Sequence, residues 1–296
     1  MSNFRLKVFH SVAVHLNFTK AAEELYISQP AVTKNIKELE TELDAKLFDR
    51  LSNNVALTEA GRIVFDYAEH VLELDKKLAF DLSTLKQKYA GQLKLGASTT
   101  IGQYILPSIL AKFHERHTDI ALMLLNDNTE KIERALLRNE IDLGIVEGSS
   151  KNNQIKYIPF IKDEIVAIAH TSQPLSEQDE ISLSELKSLP LVLREAGSGS
   201  LEVILKKLKE QGIRLQDLHI LMHLGSTEGI KTYLANSNCL GLISINAVSK
   251  EIANGKFKVI DIKDFEIERM FYFIHTHGKL SGLAEMFMRF IQQAHN

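Results

Sequence analysis

The chain has 296 residues and a formal net charge of −3, and 45% of its residues are hydrophobic while 25% are charged. This composition is typical of a folded globular protein and excludes disordered and fibrous classes. No apolar run reaches the roughly 20 residues that cross a bilayer, and the first residues lack the pattern of a signal peptide. We therefore expect a cytoplasmic protein of about two domains with no membrane partner. The single cysteine, Cys239, excludes an intrachain disulfide.

The charge distribution restricts any contact with nucleic acid to a local surface. Residues 1–90 hold 12 Lys and Arg against 13 Asp and Glu, whereas residues 1–37 hold five Lys and Arg against two Glu. DNA affinity depends largely on neutralising phosphates. A DNA-binding surface is therefore expected within 1–37, repeated by oligomerisation, although a charge cluster by itself is usually a solvated face.

Three predicted helices at the start of the chain have the spacing of a helix-turn-helix. The first helix has an apolar face formed by Phe4, Val8, Phe9, Val12 and Leu16. Thr19 is the predicted N-cap of the second helix and Ser28 that of the third, whose first turn contains Pro30. The small side chains of Ala21 and Ala22 allow the second and third helices to approach closely at a steep angle, as a helix-turn-helix requires.

The third helix is predicted to be apolar on one face and polar on the other. Its inward residues are Val32, Ile36, Leu39 and Leu43. On the outward face Gln29 can bond an adenine edge bidentately, and the Thr33 methyl can touch a thymine methyl. Lys34 and Lys37 are suited to phosphates, which position a protein without specifying sequence. A plain three-helix packing unit with a polar outer face is the alternative.

A hairpin and a long helix follow. Asn53-Asn54 is a turn signal before the alternating Val55 and Leu57, so we predict a wing beside the helix-turn-helix. Thr58 is the predicted N-cap of a helix that continues to about Tyr89. A heptad repeat runs along this helix through Val64, Val71, Leu78 and Leu85, with Tyr67 and Leu74 between them. This pattern favours dimerisation over packing of the helix on its own domain, because a large apolar stripe would otherwise be exposed.

From Gly91 onward short apolar strands alternate with amphipathic helices, which predicts an α/β domain with mainly parallel pairing. A binding crevice is expected at the carboxyl ends of the strands. The loops there are 97–102, 126–129, 147–149, 195–200 and 225–227. Hydroxyl and N–H groups at helix N-termini stabilise negative charge, which predicts a small anion such as a carboxylate or inorganic oxyanion. The alternative is that these hydroxyls cap helices and do nothing more.

Residues 4–61 resemble the DNA-binding region of the LysR-type transcriptional regulators. The matching residues are Phe18-Thr19-Lys20-Ala21-Ala22, Leu25, Ser28-Gln29-Pro30-Ala31-Val32-Thr33, Ile36, Leu39-Glu40, Leu47-Phe48, Arg50 and Leu57-Thr58-Glu59-Ala60-Gly61. The resemblance continues through 91–98, 141–148 and 193–199, so it covers essentially the whole chain.

The resemblance implies a winged helix-turn-helix at 1–58, a dimerising linker helix at 59–90 and an effector-binding domain at 91–296. The last domain is expected to be α/β and similar to periplasmic binding proteins. Its two lobes are expected at 91–162 with 265–296, and at 163–264. Family members commonly form tetramers that bend promoter DNA, so a homodimer and a homotetramer are implied. Contact with RNA polymerase is compatible with this interpretation.

The predicted site residues follow from the patterns and the resemblance together. For double-stranded promoter DNA they are Thr19, Lys20, Ser28, Gln29, Pro30, Ala31, Thr33, Lys34, Lys37, Arg50 and Asn53. Asn53 stands where family members often have a basic residue. The resemblance places a co-inducer between the lobes, against the equivalents of Ser98, Thr99, Thr100 and Thr129. The full predicted effector set is Ser98, Thr99, Thr100, Asn128, Thr129, Glu147, Ser198 and Ser226.

An enzyme and an exported solute-binding protein are the alternative classes. The glycine-rich Gly197-Ser198-Gly199 lacks both a dinucleotide fingerprint and a P-loop lysine, and no nucleophile elbow is present. His275 and His277 form a weak metal pattern without a cysteine cluster nearby. An exported binding protein is expected to carry a signal peptide. We therefore predict a regulator that is not an enzyme, with no metal and no cofactor beyond a co-inducer.

Overall fold

The structure is a computed structural model that describes residues 3–51, 54–85, 90–148, 152–278, 280 and 282–294. The chain divides into two units, 1–88 and 89–296. Within the described residues the first unit is helical apart from one hairpin, and the second is a mixed α/β domain.

The first unit is a three-helix core followed by a wing and a long helix. Its elements are α1 (Asn3–His15), α2 (Phe18–Glu24), α3 (Gln29–Glu42), β1 (Phe48–Leu51), β2 (Asn54–Leu57) and α4 (Glu59–Leu85). Phe9, Ala21 and Ile36 lie fully buried in one apolar cluster that joins the first three helices. Phe4 and Leu16 were predicted to share the buried face of α1, but they are 46% and 48% exposed because they lie at its two ends.

The junctions around the wing follow local capping chemistry. β1 and β2 pair as an antiparallel hairpin in which Phe48 faces Leu57. The Thr58 hydroxyl accepts a hydrogen bond from the Gly61 N–H (2.9 Å) and donates one to the Lys46 carbonyl (2.6 Å). The predicted N-cap of α4 is therefore confirmed, while its predicted end near Tyr89 lies outside the described residues.

The second unit alternates strands and helices as predicted. Its strands are β3 (Gly91–Ser98), β4 (Ile120–Asp127), β5 (Leu143–Glu147), β6 (Ile155–His170), β7 (Glu180–Ile181), β8 (Leu191–Arg194), β9 (Ile220–Leu224), β10 (Leu240–Ser244), β11 (Phe257–Ile262) and β12 (Ile267–Thr276). Its helices are α5 (Leu106–Arg116), α6 (Thr129–Leu137), α7 (Leu183–Ser188), α8 (Gly199–Glu210), α9 (Thr227–Leu234), α10 (Ile245–Ala253) and α11 (Gly282–Ala294). A π-helical turn, Ile101–Ile105, precedes α5.

Pairing in this unit is mixed rather than mainly parallel. The strand order is β4-β3-β5-β12-β6-β10-β8-β9, and β11 pairs with β6 and β7. The two ends of the sheet are parallel, whereas the central strands β6 and β12 run antiparallel to each other and to their neighbours. These two strands pass from one lobe to the other in opposite directions, which the local pattern of alternating strands and helices does not reveal.

Two apolar cores define the lobes. The core of the first lobe joins β3, β5, α5 and α11 with parts of β6 and β12, and it contains Phe113 and Phe273. The core of the second lobe contains Leu193, Ile204 and Leu242. The predicted boundary leaves residues 265–267 in the first lobe, but Phe265 and Ile267 pack in the core of the second. The predicted fold class, a winged helix-turn-helix followed by a two-lobed α/β domain, is confirmed.

Candidate DNA-binding surface and effector site

Helix α3 begins as its sequence predicts and is anchored by its apolar face. The Ser28 hydroxyl accepts a hydrogen bond from the Ala31 N–H (3.4 Å), and Pro30 lies in the first turn. Val32, Ile36 and Leu39 have no exposed surface. Burial of these three side chains fixes the rotation of α3, so the opposite face of the helix is presented to solvent.

The outward face of α3 carries hydrogen-bond donors and positive charge. Gln29, Lys34 and Lys37 are exposed, and Thr33 is half-buried. Gln29 Nε2 donates to Thr33 Oγ1 over 3.2 Å, which aligns the amide along the helix surface. Lys34 lies 3.9 Å from Glu38, a distance at which an exposed pair is weak enough to exchange for a phosphate.

The other predicted DNA contacts differ in how far the structure defines them. Thr19 was predicted to cap α2, but the cap is Asn17, whose Oδ1 accepts from the N–H groups of Thr19 (2.9 Å) and Lys20 (3.0 Å). Thr19 and Lys20 are therefore exposed residues of the first turn of α2. Arg50 lies on β1 opposite Val55. Asn53 lies outside the described residues.

A stripe of exposed apolar side chains runs along α4. Its members with their exposed fractions are Ile63 (56%), Tyr67 (70%), Val71 (37%), Leu74 (64%), Leu78 (58%) and Leu82 (51%). Val64, by contrast, packs against the core of the first unit. Four predicted members of the heptad stripe, Tyr67, Val71, Leu74 and Leu78, are therefore exposed, whereas Val64 is not and the side chain of Leu85 lies outside the described part of the chain. Exposed apolar patches of this kind commonly mark interaction surfaces.

The predicted effector residues of the first lobe meet a buried carboxylate at the carboxyl ends of β3 and β5. Ser98 Oγ donates to Glu147 Oε2, and the Thr129 hydroxyl donates to the Glu147 carbonyl over 2.7 Å. From the second lobe, Ser200 Oγ donates to Glu147 Oε1 over 3.2 Å. The exposed fraction of Glu147 is 1%. Hydroxyls of both lobes thus surround Glu147, and each of them donates a hydrogen bond to this residue.

Arg194 lies between the lobes and was not among the predicted site residues. Its side chain is 2% exposed, and its Nε and Nη2 both donate to the Glu195 carboxylate, over 2.8 and 3.0 Å. Nη2 also donates to Thr99 Oγ1 of the first lobe over 3.1 Å. In the opposite direction, Asn128 Nδ2 of the first lobe donates to Glu195 Oε1 of the second lobe over 3.3 Å. This arginine–carboxylate pair therefore bridges the cleft in both directions.

Burial and pairing act in opposite directions on Glu195. Burial raises the pKa of its carboxyl, but the hydrogen bonds and positive charge of Arg194 outweigh burial and leave the pKa below the ordinary value. Glu195 is therefore an ionised partner of Arg194, and its side chain remains 26% exposed.

Capping explains only some of the predicted effector residues. Asn128 caps α6 by accepting from Lys131 N–H (3.1 Å), and Ser226 caps α9 by accepting from Gly229 N–H (3.0 Å). Thr100 and Ser198 precede the π-helical turn and α8, yet neither makes a side-chain capping hydrogen bond. The capping alternative thus holds for two residues and fails for Thr100 and Ser198.

Two buried donors near this site have no partner among the described residues. They are Ser198 Oγ and Arg269 Nη2. Arg269 is otherwise held tightly, because its Nε donates to Asp163 Oδ2 (2.6 Å) and its Nη1 donates to Ser200 Oγ (2.7 Å). Its Nη1 also lies 3.7 Å from Glu147 Oε1. Unsatisfied buried donors are rare in native proteins, and where they occur a bound ligand, an ion or an ordered water commonly accepts from them.

A further cross-lobe contact joins the π-helical turn of the first lobe to α9 of the second. Tyr104 OH of the π-helical turn donates to Glu228 Oε1 of α9 over 2.5 Å. Lys231 Nζ lies 5.0 Å from the centre of the Tyr104 ring and pairs with Glu228 (2.7 Å) and Glu251 (2.5 Å). Burial and the hydrogen bond to Glu228 both raise the pKa of Tyr104, so its hydroxyl stays protonated and acts as a donor.

Other features of the described residues do not compete as sites for an anion. A cavity of about 710 Å³ in the second lobe is rimmed by acidic residues such as Glu164, Glu180, Asp261 and Glu266. No group of three or more metal-ligating side chains occurs among the described residues. None of the described helices combines the length and the hydrophobicity that a membrane span requires.

Sequence reasoning missed Arg194, Glu195, Tyr104 and Arg269. The sequence contains an indication of two of these residues, Arg194 and Arg269. Arg194 is the last residue of β8 and follows three buried apolar residues, and Arg269 shares the buried face of β12 with Ile267 and Phe271. A charged residue at a position whose neighbours are all buried indicates a paired or ligand-binding group.

Comparison with known proteins agrees with this architecture. Residues 4–62 match the family model described as bacterial regulatory helix-turn-helix protein, lysR family, and residues 86–296 match the LysR substrate binding domain. The chain is 32% identical to the HTH-type transcriptional regulator CysL of Bacillus subtilis, over 92% of this chain and 90% of CysL. It is also 32% identical to the RuBisCO operon transcriptional regulator of Allochromatium vinosum, over 97% of this chain and 94% of that protein.

Among solved structures, the regulatory domain of Synechocystis CcmR in complex with 2-PG is 27% identical. It covers 69% of this chain and 97% of the CcmR chain, with a TM-score of 0.63. The helix-turn-helix, the two-lobed domain and these matches lead to one conclusion. The chain belongs to the LysR family of DNA-binding transcription regulators, and it is not an enzyme.

Proposed function

We propose that this regulator binds promoter DNA through the outward face of α3, and that a small anion bound between the lobes modulates its activity. The observation that carries the proposal is the set of buried donors in the cleft. The Arg194 guanidinium is 2% exposed, and Ser198 Oγ and Arg269 Nη2 have no partner among the described residues. Donors of this kind stabilise negative charge most strongly where water is excluded.

The hydroxyls at the end of β3 support the same class of ligand. Ser98, Thr99 and Thr100 are 1%, 6% and 1% exposed, and Arg194 of the second lobe donates a hydrogen bond to Thr99. The 2-PG complex of the CcmR regulatory domain adds support, because it shows a small molecule bound to a domain of the same fold. We propose Ser98, Thr99, Thr100, Thr129 and Ser198 as effector contacts, with Arg194 and Arg269 as the cationic anchors.

Assembly follows from the first unit. We propose that two copies dimerise through the exposed stripe of α4, which contains Tyr67, Leu74 and Leu78. Pairing of two chains doubles the number of DNA-contacting helices, which compensates for the low net charge of each copy. We further propose that the regulator forms a tetramer, acts in the cytoplasm and contacts RNA polymerase. It requires no small molecule other than the co-inducer.

DNA binding is tested with a fragment of the protein's own upstream region against random duplex. We expect specific retardation that weakens steeply as salt rises. The Gln29→Ala variant should lose about 1–3 kcal/mol of discrimination at one base pair. Equal affinity of the wild type for both duplexes at moderate ionic strength would contradict the proposal.

The effector site is tested by a complementary variant. Thr100→Val keeps the shape of the side chain but removes its hydroxyl, so anion binding should weaken by about 0.5–1.5 kcal/mol. Its DNA affinity without effector should be unchanged, whereas Gln29→Ala should bind the anion normally. A Thr100→Val protein that loses DNA binding and anion binding together would remove Thr100 from the site.

A further inference from the structure

In the proposed function, on which this inference rests, an anion binds between the lobes. The pairing of Arg194 with Glu195 then restricts how such an anion can reach the guanidinium. Glu195 occupies the Nε and Nη2 edge of the guanidinium, with bonds of 2.8 and 3.0 Å. The other donors point to Thr99 Oγ1 at 3.1 Å, to the Gly225 carbonyl at 3.4 Å and to Thr227 Oγ1 at 3.5 Å. The edge best suited to a bidentate anion is therefore already filled by a carboxylate of the protein itself.

The charge balance of the cleft also disfavours simple addition of an anion. Two guanidiniums, Arg194 and Arg269, face three carboxylates, Glu147, Asp163 and Glu195. An added anion would raise the negative charge of a buried cluster that is already negative by one unit. At short range in a poorly solvated site this repulsion is strong. The cluster can accommodate an anion when one of its carboxylates moves away from the guanidiniums.

Glu195 is the carboxylate that can leave. Its side chain is 26% exposed, whereas the side chains of Glu147 and Asp163 are 2% and 0% exposed. Asp163 also accepts hydrogen bonds from Ser244 (2.8 Å) and Asn246 (2.6 Å), which hold it in place. Glu195 follows the last residue of β8, so its side chain can rotate toward solvent without moving the strand.

We propose that Glu195 is a built-in competitor of the effector, and that binding exchanges its carboxylate on Arg194 for an anionic group of the effector. The exchange also removes the acceptor of Asn128 Nδ2, a contact between the lobes, while the bond from Arg194 to Thr99 can remain. Glu195 thus sets the concentration at which the effector acts and couples its arrival to the contacts between the lobes.

The test is calorimetric titration of the full-length protein with inorganic phosphate, acetate and 2-PG. Glu195→Gln keeps the shape of the side chain and removes its charge, so at least one anion should bind about tenfold or more tightly than to wild type. Such a gain corresponds to Glu195 occupying Arg194 in about nine-tenths of free molecules or more. Glu195→Ala is the second variant and should tighten binding as well. Retained preference for the upstream DNA fragment and a cooperative thermal unfolding transition verify that both variants are folded.

A matched control separates exchange from a general effect of charge. Glu285→Gln makes the same change in net charge at a carboxylate that is paired with Arg289 on α11. Its affinity should stay within about twofold of wild type, and an equal gain in both variants overturns the exchange. Equal or weaker binding by Glu195→Gln, when wild type binds, also overturns the exchange but leaves the anion site standing. Failure of every protein to bind every anion overturns the site and the exchange together.

Discussion

A single methyl group at Gly199 should wedge the two lobes apart. Gly199 begins α8 in the second lobe, and a Cβ placed there would lie 2.0 Å from the Glu147 carbonyl oxygen and 2.6 Å from Thr129 Oγ1. Both atoms belong to the first lobe. An ordinary contact begins near 3.4 Å, so Gly199→Ala requires a local separation of about 1.4 Å. The cross-lobe hydrogen bond from Ser200 to Glu147, now 3.2 Å, would break at that separation.

The expected effect is moderate and can be measured. Overpacking of this kind destabilises by about 1–3 kcal/mol, and the same free energy corresponds to about 5- to 150-fold weaker binding of an effector that requires the close approach. Relief by movement of a flexible side chain is excluded at the shortest contact, because the Glu147 oxygen belongs to the backbone of β5.

Equilibrium unfolding in urea is the assay, with Gly225→Ala as its matched control. Gly225 lies just before α9 in the same lobe, and a Cβ there meets nothing within 4 Å. Both variants lose the same glycine freedom in the unfolded chain, which by itself stabilises by about 0.4–1 kcal/mol. Gly199→Ala should therefore be the less stable of the two. Equal stability of the two variants would refute the steric reasoning.

Three further predictions concern other parts of the chain. Leu74→Asp combined with Leu78→Asp places charge on the exposed stripe of α4, so sedimentation should show a shift toward monomers; an unchanged mass contradicts the dimer proposal. Lys34→Ala should reduce the salt slope of DNA binding by about one unit and weaken all sequences alike, and an unchanged slope removes Lys34 from the phosphate contacts. The lowered pKa of Glu195 beside Arg194 stabilises the fold above the ordinary pKa, near 4.5, and this contribution is lost as pH falls through the folded value. Urea unfolding between pH 6 and pH 3 should therefore show a steeper loss for wild type than for Glu195→Gln, and parallel curves would contradict the pairing.

The helix-turn-helix was predictable because its determinants are local. Ser28 and Pro30 lie at the start of α3, and the spacing of Val32, Ile36 and Leu39 defines the buried face. Each of these signals depends on residues within one or two helical turns. The cap of α2 was mispredicted because Asn17 and Thr19 are both good capping residues two positions apart, and propensity alone does not choose between them.

The pairing around Arg194 was less accessible to sequence reasoning. Arg194 and Glu195 are adjacent, and neighbouring opposite charges in a sequence usually lie on a solvated surface. Here the strand ends at Arg194 and the chain turns, so the two side chains meet. The partners from the first lobe, Thr99 and Asn128, are 95 and 67 residues away along the chain. Only the fold of both lobes brings such groups together.

The contacts between the lobes explain why a small ligand can act on this domain. Around the site they are polar, and they join Arg194 to Thr99, Asn128 to Glu195, Ser200 to Glu147 and Tyr104 to Glu228. Each such bond contributes about 0.5–1.5 kcal/mol net, whereas each lobe is held by an apolar core of its own. The arrangement of the lobes can therefore change at a smaller free-energy cost than the unfolding of either lobe. An effector that replaces a few of these bonds has enough differential affinity to shift the population, because coupling free energies of about 1–3 kcal/mol are sufficient for regulation.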